Sequence, residues 1–296
     1  MPPSDFQNWF KLLTAMPSTS HFITVDGADI HYRRWVDPEK TIRNSKPGLL
    51  FLHGYGAHSH WWDFIAPAFL EDFEVFAMDM SGAGDSAHRD VYTAPLFAKE
   101  IISVCRDAGL QSPTVVGHSF GGSMTRVAAH LYGEELSAVV LIDSNLPRHR
   151  GKRTPPPAPR AHIRHYETLE RGARRFRLRP PQPCENKYII DYIARHSLAE
   201  DGQGYYFKLD QALFSKLRED ANVVLPDAAS MVERASCTVG FIYGARSRLF
   251  PPEAVKIVNE VIKPEVLQCI PEAHHHVFLD QPLEFIKSLG NVLKKL

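Results

Sequence analysis

The chain has 296 residues, long enough for one large α/β core or for two small domains. Its 34 Lys and Arg balance 34 Asp and Glu, so no global field argues for nucleic acid or an anionic membrane as a partner. The longest apolar run, Ala138 to Ile142, is far too short to cross a bilayer, and Met1-Pro-Pro-Ser-Asp-Phe6 lacks a basic n-region followed by an apolar h-region, so a soluble, cytoplasmic protein is expected.

The chain opens with a short amphipathic helix that gathers Phe6, Trp9, Phe10 and Leu13 on one face. His21 to Val25 and Ile30 to Val36 flank Asp26-Gly27 and read as a β-hairpin. Gly48 to Leu52 is a short apolar strand running into His53-Gly54-Tyr55-Gly56. A helix from about Trp61 to Leu70 follows, then a strand Glu74 to Met78 ending in Asp79, and a glycine-rich loop from Ser81 to Asp85. Ala94 to Ala108 places Leu96, Phe97, Ile101, Ile102 and Cys105 at helical spacing, with Gly109 as the stop. Pro113 to His118 is a β-branched run, the helix after Ser119 is amphipathic, and Leu136 to Ile142 is another apolar strand ending in Asp143. Apolar strands alternating with helices predict a mostly parallel central sheet covered on both faces.

The alternation stops at Pro147. From there the chain turns rich in Pro and Arg, with Pro155-Pro-Pro-Ala-Pro159 and Arg174-Arg-Phe-Arg-Leu-Arg-Pro-Pro181, and then carries helical stretches around Tyr188 and Tyr192. Residues 147–234 therefore read as an inserted, mainly helical cap, with 1–146 and 235–296 as the core. The rhythm resumes with a strand Cys237 to Tyr243, a helix Glu253 to Ile262, a strand Glu265 to Ile270, and a loop bearing His274-His275-His276. Pro282 opens a last helix whose stripe is Leu283, Phe285, Ile286, Leu289, Val292 and Leu293. Cys105, Cys184, Cys237 and Cys269 are too far apart for a metal or redox pair and read as free thiols, three of them in buried elements.

Gly117-His-Ser119-Phe-Gly121, between a strand and a helix, carries the chemistry. So tight a reversal pushes Ser119 towards strained dihedrals, and the glycines let strand and helix pass closely. The following helix aims its free N–H groups, beginning with Phe120, beside the Ser119 hydroxyl, which is half of an oxyanion hole. A serine hydroxyl is a poor nucleophile until a base takes its proton, and that base needs a third group to hold its tautomer. Reactive groups in open α/β sheets collect at the carboxyl ends of strands, which points to the loop of His274, His275 and His276. Three consecutive side chains cannot converge on one ion, so no metal is expected there, and no cofactor is implied elsewhere.

His53-Gly54-Tyr55-Gly56, Asp79 with Gly82-x-Gly84-Asp85-Ser86, Gly117-His-Ser-Phe-Gly121, and Ala273-His-His275-x-x-x-Leu279-Asp280-Gln-Pro282 together resemble the α/β-hydrolase fold, in its cap-bearing branch. The resemblance covers nearly all of the chain outside the cap. It implies Ser119 as nucleophile, His275 as base, and the N–H groups of Phe120 and Tyr55 as the oxyanion hole. One element departs from the common pattern. Most relatives carry the acid in Gly-x-x-Asp after the next-to-last strand, where this chain has Gly244-Ala245-Arg246-Ser247. A minority place it after the strand that follows the nucleophile helix, where this chain has Asp143. Asp79 is read as support for the glycine loop and Asp280 as a cap of the last helix.

The resemblance implies a hydrolase of a small-molecule carboxylic ester, lactone or amide that works through an acyl-serine. A carbon–carbon bond hydrolase of a diketone-type substrate uses the same triad and is the alternative, and a non-catalytic small-ligand receptor is the alternative of another class. Haloalkane dehalogenase and epoxide hydrolase chemistry needs an aspartate where Ser119 stands. The basic residues of the cap, among them Arg148, Arg150, Lys152, Arg153, Arg160, Arg164, Arg171, Arg174, Arg175, Arg177 and Arg179, form either a solvated face or a guide for an anionic substrate. Tyr188, Tyr192, Tyr205, Tyr206, Phe207 and Phe214 either roof the pocket or pack the cap onto the core.

Overall fold

The computed structural model describes residues 3–36, 46–149 and 163–296, with side chains of the first helix from residue 8. The expectations for Phe6, for Arg150, Lys152, Arg153 and Arg160, and for the proline run 155–159 lie outside the described residues.

The first helix, Pro3–Thr14, leads into β1 (Ser18–Val25) and β2 (Ala28–Trp35), the expected hairpin. Asp26 and Gly27 both take positive φ, 45° and 77°, as a two-residue turn of matching twist requires. The other strands of the main sheet are β3 (Gly48–Leu52), β4 (Glu74–Met78), β5 (Thr114–His118), β6 (Ala138–Ile142), β7 (Thr238–Gly244) and β8 (Leu267–Ile270). They build one eight-stranded sheet in the order β1-β2-β4-β3-β5-β6-β7-β8. The hairpin joins antiparallel at one edge, and every pairing from β4 to β8 is parallel. All residues of β3, β5 and β6 are buried, because helices cover both faces, and that is why these strands read as unbroken apolar runs.

Of the helices, Ala94–Asp107 starts on a Thr93 side-chain cap to the Leu96 N–H and stops where Gly109 takes φ 72°. The helix expected from Trp61 to Leu70 is instead two 3₁₀ turns, Ser59–Trp62 and Ala66–Phe69. Pro67 has no N–H for an i→i−4 ladder, and the stretch is held by its aromatic anchors. Trp62, fully buried, packs between Phe51 and Phe278 with ring centroids 4.9 and 4.7 Å away. In the last helix, Pro282–Leu293, Leu283 is exposed rather than part of the buried stripe. Cys105 and Cys184 are buried, Cys237 is half-buried and Cys269 exposed, so two thiols rather than three are interior. Among the described residues no helix is long and apolar enough to cross a membrane.

Between β6 and β7 the chain carries helices Leu169–Ala173, Lys187–His196, Leu213–Lys216 and Ala228–Glu233. It also carries a β-hairpin, Leu198–Asp201 with Gly204–Phe207, that was not anticipated. This segment is tied to the core by buried and half-buried polar contacts. The Tyr192 hydroxyl donates to Asp63 Oδ2 at 2.6 Å, the Tyr92 hydroxyl to Asp210 Oδ2 at 2.8 Å, and Asn186 Nδ2 to the Leu279 carbonyl at 2.7 Å. Tyr188 and Tyr192 pack edge-on against Phe10, and Phe214 lies against Tyr55 and Phe120.

Candidate active site

Parallel register sets the site. His118 pairs with Ile142 and Ile142 with Ile242, so the residues that follow, Ser119 and Asp143, leave the sheet side by side at its carboxyl edge. Ser119 has φ 53° and ψ −115°, a conformation L-residues rarely adopt, fixed by its N–H to the Ile142 carbonyl at 2.8 Å and by the start of the helix Phe120–Tyr132. The glycines make the reversal possible. A Cβ on Gly121 would fall on the His53 carbonyl oxygen, and one on Gly117 would fall on the Thr125 hydroxyl.

His275 stands between the two. Its Nε2 is 2.8 Å from Ser119 Oγ and its Nδ1 is 2.7 Å from Asp143 Oδ1. A carboxylate can only accept, so Nδ1 carries the proton and Nε2 is left to accept from the serine hydroxyl. Asp143 is fully buried at φ 44°. Its Oδ2 accepts from the Gly244 N–H at 2.9 Å and its Oδ1 also accepts from the Ser247 hydroxyl at 2.7 Å. Burial pushes the Asp143 carboxyl upward, and the hydrogen bonds from His275, Gly244 and Ser247 oppose this without cancelling it. Ser247 thus stands where most relatives were expected to carry the acid, and its hydroxyl donates to Asp143. The sequence showed the missing charge there but not this role, although a donor is what an acid reaching in from the neighbouring strand would need.

The histidine loop is stapled from three sides. His118 Nε2 donates to the His275 carbonyl at 3.0 Å. Asp280 Oδ2 accepts from the His274 N–H at 2.7 Å and lies 3.0 Å from its Nδ1, while Gln182 donates to both Asp280 oxygens and accepts from the His276 N–H. Asp280 therefore ties this loop to the inserted segment and does not cap the last helix, whose first turn has no side-chain cap. Nothing in the sequence pointed to Gln182.

The N–H groups of Tyr55 and Phe120 have no acceptor within hydrogen-bond reach among the described residues. Both residues line one small cavity with Gly54, Met80 and Leu213, next to the turn that holds Ser119. Burial pushes the Tyr55 phenol up, with the neighbouring Arg179 guanidinium pulling the other way. Asp79, as read from the sequence, supports the glycine loop. It accepts from the Ser59 and Asp85 N–H groups, and a Cβ on Gly84 would fall on its carboxyl. Burial works to raise the Asp79 carboxyl, but the His31 hydrogen bond and nearby imidazoles outweigh it and hold it well below the usual range.

Among the described residues three groupings bring potential metal-ligand atoms within 4.8 Å of one another: His118 with His275 and His276, His60 with Asp63 and His196, and His31 with Asp79 and Asp85. Of the three consecutive histidines, His274 turns away to Asp280 and two stay together. An ion at the first grouping would have to take a His275 nitrogen from Ser119 or Asp143. At the second, Arg33 already pairs with Asp63.

A parallel sheet of this order, with a strained serine on a strand-to-helix turn and a histidine and a buried aspartate at the same edge, defines a class. Residues 49–288 match the family described as "Alpha/beta hydrolase family", and the chain belongs to it. The mycobacterial uncharacterized proteins it resembles are 29% identical over 43% of this chain, which spans 36% of their own length. A pimeloyl-[acyl-carrier protein] methyl ester esterase of Chromobacterium violaceum is 25% identical over 84% of this chain and 94% of its own. Among solved structures, E-2-(acetamidomethylene)succinate hydrolase superposes with TM-score 0.72 at 20% identity, covering 94% of this chain and all of the other. A thioesterase domain of the curacin biosynthetic pathway gives 0.71 at 18% identity, covering 92% and 98%.

Proposed function

We propose that the protein is a serine hydrolase that cleaves a small-molecule carboxylic ester through an acyl-serine. The observation that carries this is the unbroken line from Ser119 Oγ through His275 to Asp143, at 2.8 and 2.7 Å, on a strained elbow. In the first half-reaction Ser119 Oγ attacks the ester carbonyl carbon while His275 Nε2 takes its proton. The tetrahedral oxyanion is met by the N–H groups of Tyr55 and Phe120. The C–O bond to the alcohol then breaks, His275 returns the proton to the leaving oxygen, and an acyl-serine remains. Water repeats the sequence in the second half-reaction and frees the carboxylic acid. Asp143 keeps its charge throughout and stabilises the imidazolium. The segment 147–234 is proposed as the cap that excludes bulk water from these steps.

The esterase from Chromobacterium violaceum supports the ester class, since its match runs almost end to end. A p-nitrophenyl ester panel followed by stopped flow tests the reading. An initial burst of p-nitrophenol stoichiometric with enzyme is expected wherever deacylation is the slower step. Absence of both burst and turnover across short and long acyl chains would overturn it.

A further inference from the structure

A cavity of about 530 Å³ opens beside the candidate active site, and Ser119 is not among its described lining residues. It lies between the inserted segment and the core and shares Gly56 and Leu209 with the small cavity at Tyr55 and Phe120, so the two adjoin. Its size falls in the range of small-molecule sites. Among the described residues five cationic side chains line it, Arg164, Arg175, Arg177, Arg179 and Lys208, against one carboxylate, Asp210.

That carboxylate is already spent on the Tyr92 hydroxyl, Lys216 Nζ and the Ala212 N–H, and Lys208 is paired with Asp85 at 2.8 Å. The four arginines have no carboxylate in ion-pair reach among the described residues. Arg164 stacks on Tyr166, Arg177 donates only to the Arg174 and Phe176 carbonyls, and the Arg179 side chain passes over Gly56. These four arginines are exposed at the wall of the cleft, and an anion entering it would be held by charge-assisted, forked hydrogen bonds.

A second, independent feature sits in the same lining. His58 is almost fully buried, and its Nε2 lies 2.9 Å from Ser197 Oγ. The Ser197 hydroxyl spends its hydrogen on the Ile193 carbonyl at 2.8 Å, so His58 Nε2 must be the donor to it. That leaves His58 Nδ1 as a bare acceptor, and it has no partner. Such an atom is costly unless a hydrogen is presented to it; an ionised carboxylate has none to give, so a water held beside the bound anion, or the hydroxyl of a singly ionised phosphate, is what would meet it.

We propose that this cleft binds the anionic end of the substrate, making the substrate a small-molecule ester that also bears a free carboxylate or phosphate. The proposal rests on the serine-hydrolase reading for where the ester sits. Phe176, Tyr206 and Phe207, also in the lining, supply apolar wall for the chain between ester and charge.

The test pairs p-nitrophenyl monoesters of linear dicarboxylic acids, succinate to sebacate, with p-nitrophenyl esters of monocarboxylic acids of equal length. The best anionic ester is expected to exceed its neutral partner about tenfold or more in kcat/KM, and an Arg177→Gln/Arg179→Gln enzyme is expected to lose that ratio about tenfold. Raised ionic strength should shrink the ratio in the parent. Alkyl phosphates and alkyl carboxylates as competitors separate the two sources of charge, since the better inhibitor names the anion. Calorimetry with Ser119→Ala and the monomethyl esters of the same diacids reads binding without turnover. Saturable binding that the double arginine variant loses supports the cleft even if no ester is hydrolysed, in which case the hydrolase reading alone falls. Equal kcat/KM for charged and neutral partners, or a preference that survives in the double variant, overturns the cleft while leaving the hydrolase reading intact.

Discussion

Asp143→Asn exchanges one buried carboxylate oxygen for an NH₂ group, and the partners on the two oxygens decide which one. If the amide NH₂ took the Oδ2 place it would face the Gly244 N–H, donor against donor, in a fully buried site. Such a clash costs about 1–3 kcal/mol. At the Oδ1 place the NH₂ meets Ser247 Oγ, which is able to accept, and His275 Nδ1. The amide therefore settles there and makes Nδ1 the acceptor. The imidazole proton moves to Nε2, where it faces Ser119 and cannot take the serine proton. Serine proteases lose about 10⁴ in kcat by the same change, about 5 kcal/mol of transition-state stabilisation. Folding should not suffer, because burial disfavours the Asp143 charge and a neutral amide is easier to bury. The measurement is kcat on a p-nitrophenyl ester beside a thermal melt. Activity near one ten-thousandth of the parent with an unchanged or raised Tm is expected, and more than about a tenth of the parent rate would refute the reasoning. Ser247→Ala removes one donor and leaves His275 in its tautomer, so a loss of only about tenfold is expected.

Gly121→Val should be costly to folding as well as to activity, since its Cβ would overlap the His53 carbonyl and backbone has no rotamer by which to yield. A loss at the upper end of about 1–3 kcal/mol is expected in urea denaturation, and an active variant with parental stability would refute the elbow packing. Acid should destabilise the fold before the carboxylates titrate. Burial, with a contribution from His275, pulls His276 down to about 3, and burial also lowers His53, His58 and His118. A depressed histidine favours folding fully above its unfolded value near 6.5 and loses that contribution as pH falls towards its folded value. His276 alone then costs about 2 kcal/mol at pH 5. Asp79, also depressed, loses its contribution only below the ordinary carboxylate range. A urea midpoint that falls steadily from about pH 7 to about pH 5 is expected; a flat one would contradict it.

What was legible in the sequence follows from how local the cause is. β3 and β4 end where expected because a stretch buried on both faces must be apolar and stops at the first polar residue, His53 and Asp79. Strand ends narrowed the candidates, because a parallel sheet puts all such ends on one edge, but Asp79 follows a strand as well, and the choice of Ser119, His275 and Asp143 came from the family resemblance. Residues 61–70 misled because Trp, Phe and Ile at helical spacing also suit two 3₁₀ turns packed on a core. The roles of Ser247, Gln182 and Asp280 were hidden because each depends on a partner 94 or more residues away, Asp143 for the first and the histidine loop or Gln182 for the others. The hairpin Leu198–Phe207 was missed because its strands are four residues each and only half-buried, too short for a period to show.

A second Ser–His–Asp line makes the central claim sharply testable. Ser20 Oγ lies 3.1 Å from His31 Nε2, and His31 Nδ1 lies 2.7 Å from Asp79 Oδ2. Ser20 sits inside β1, however, with neither a strained turn nor a helix N-terminus beside it. Treatment with a fluorophosphonate probe followed by peptide mass mapping distinguishes the two serines, because only a serine with a working base and an oxyanion hole is phosphonylated rapidly. One adduct on the peptide containing Ser119, absent from Ser119→Ala, is the expected result. An unlabelled parent enzyme, or an adduct on Ser20 that persists in Ser119→Ala, would contradict the account.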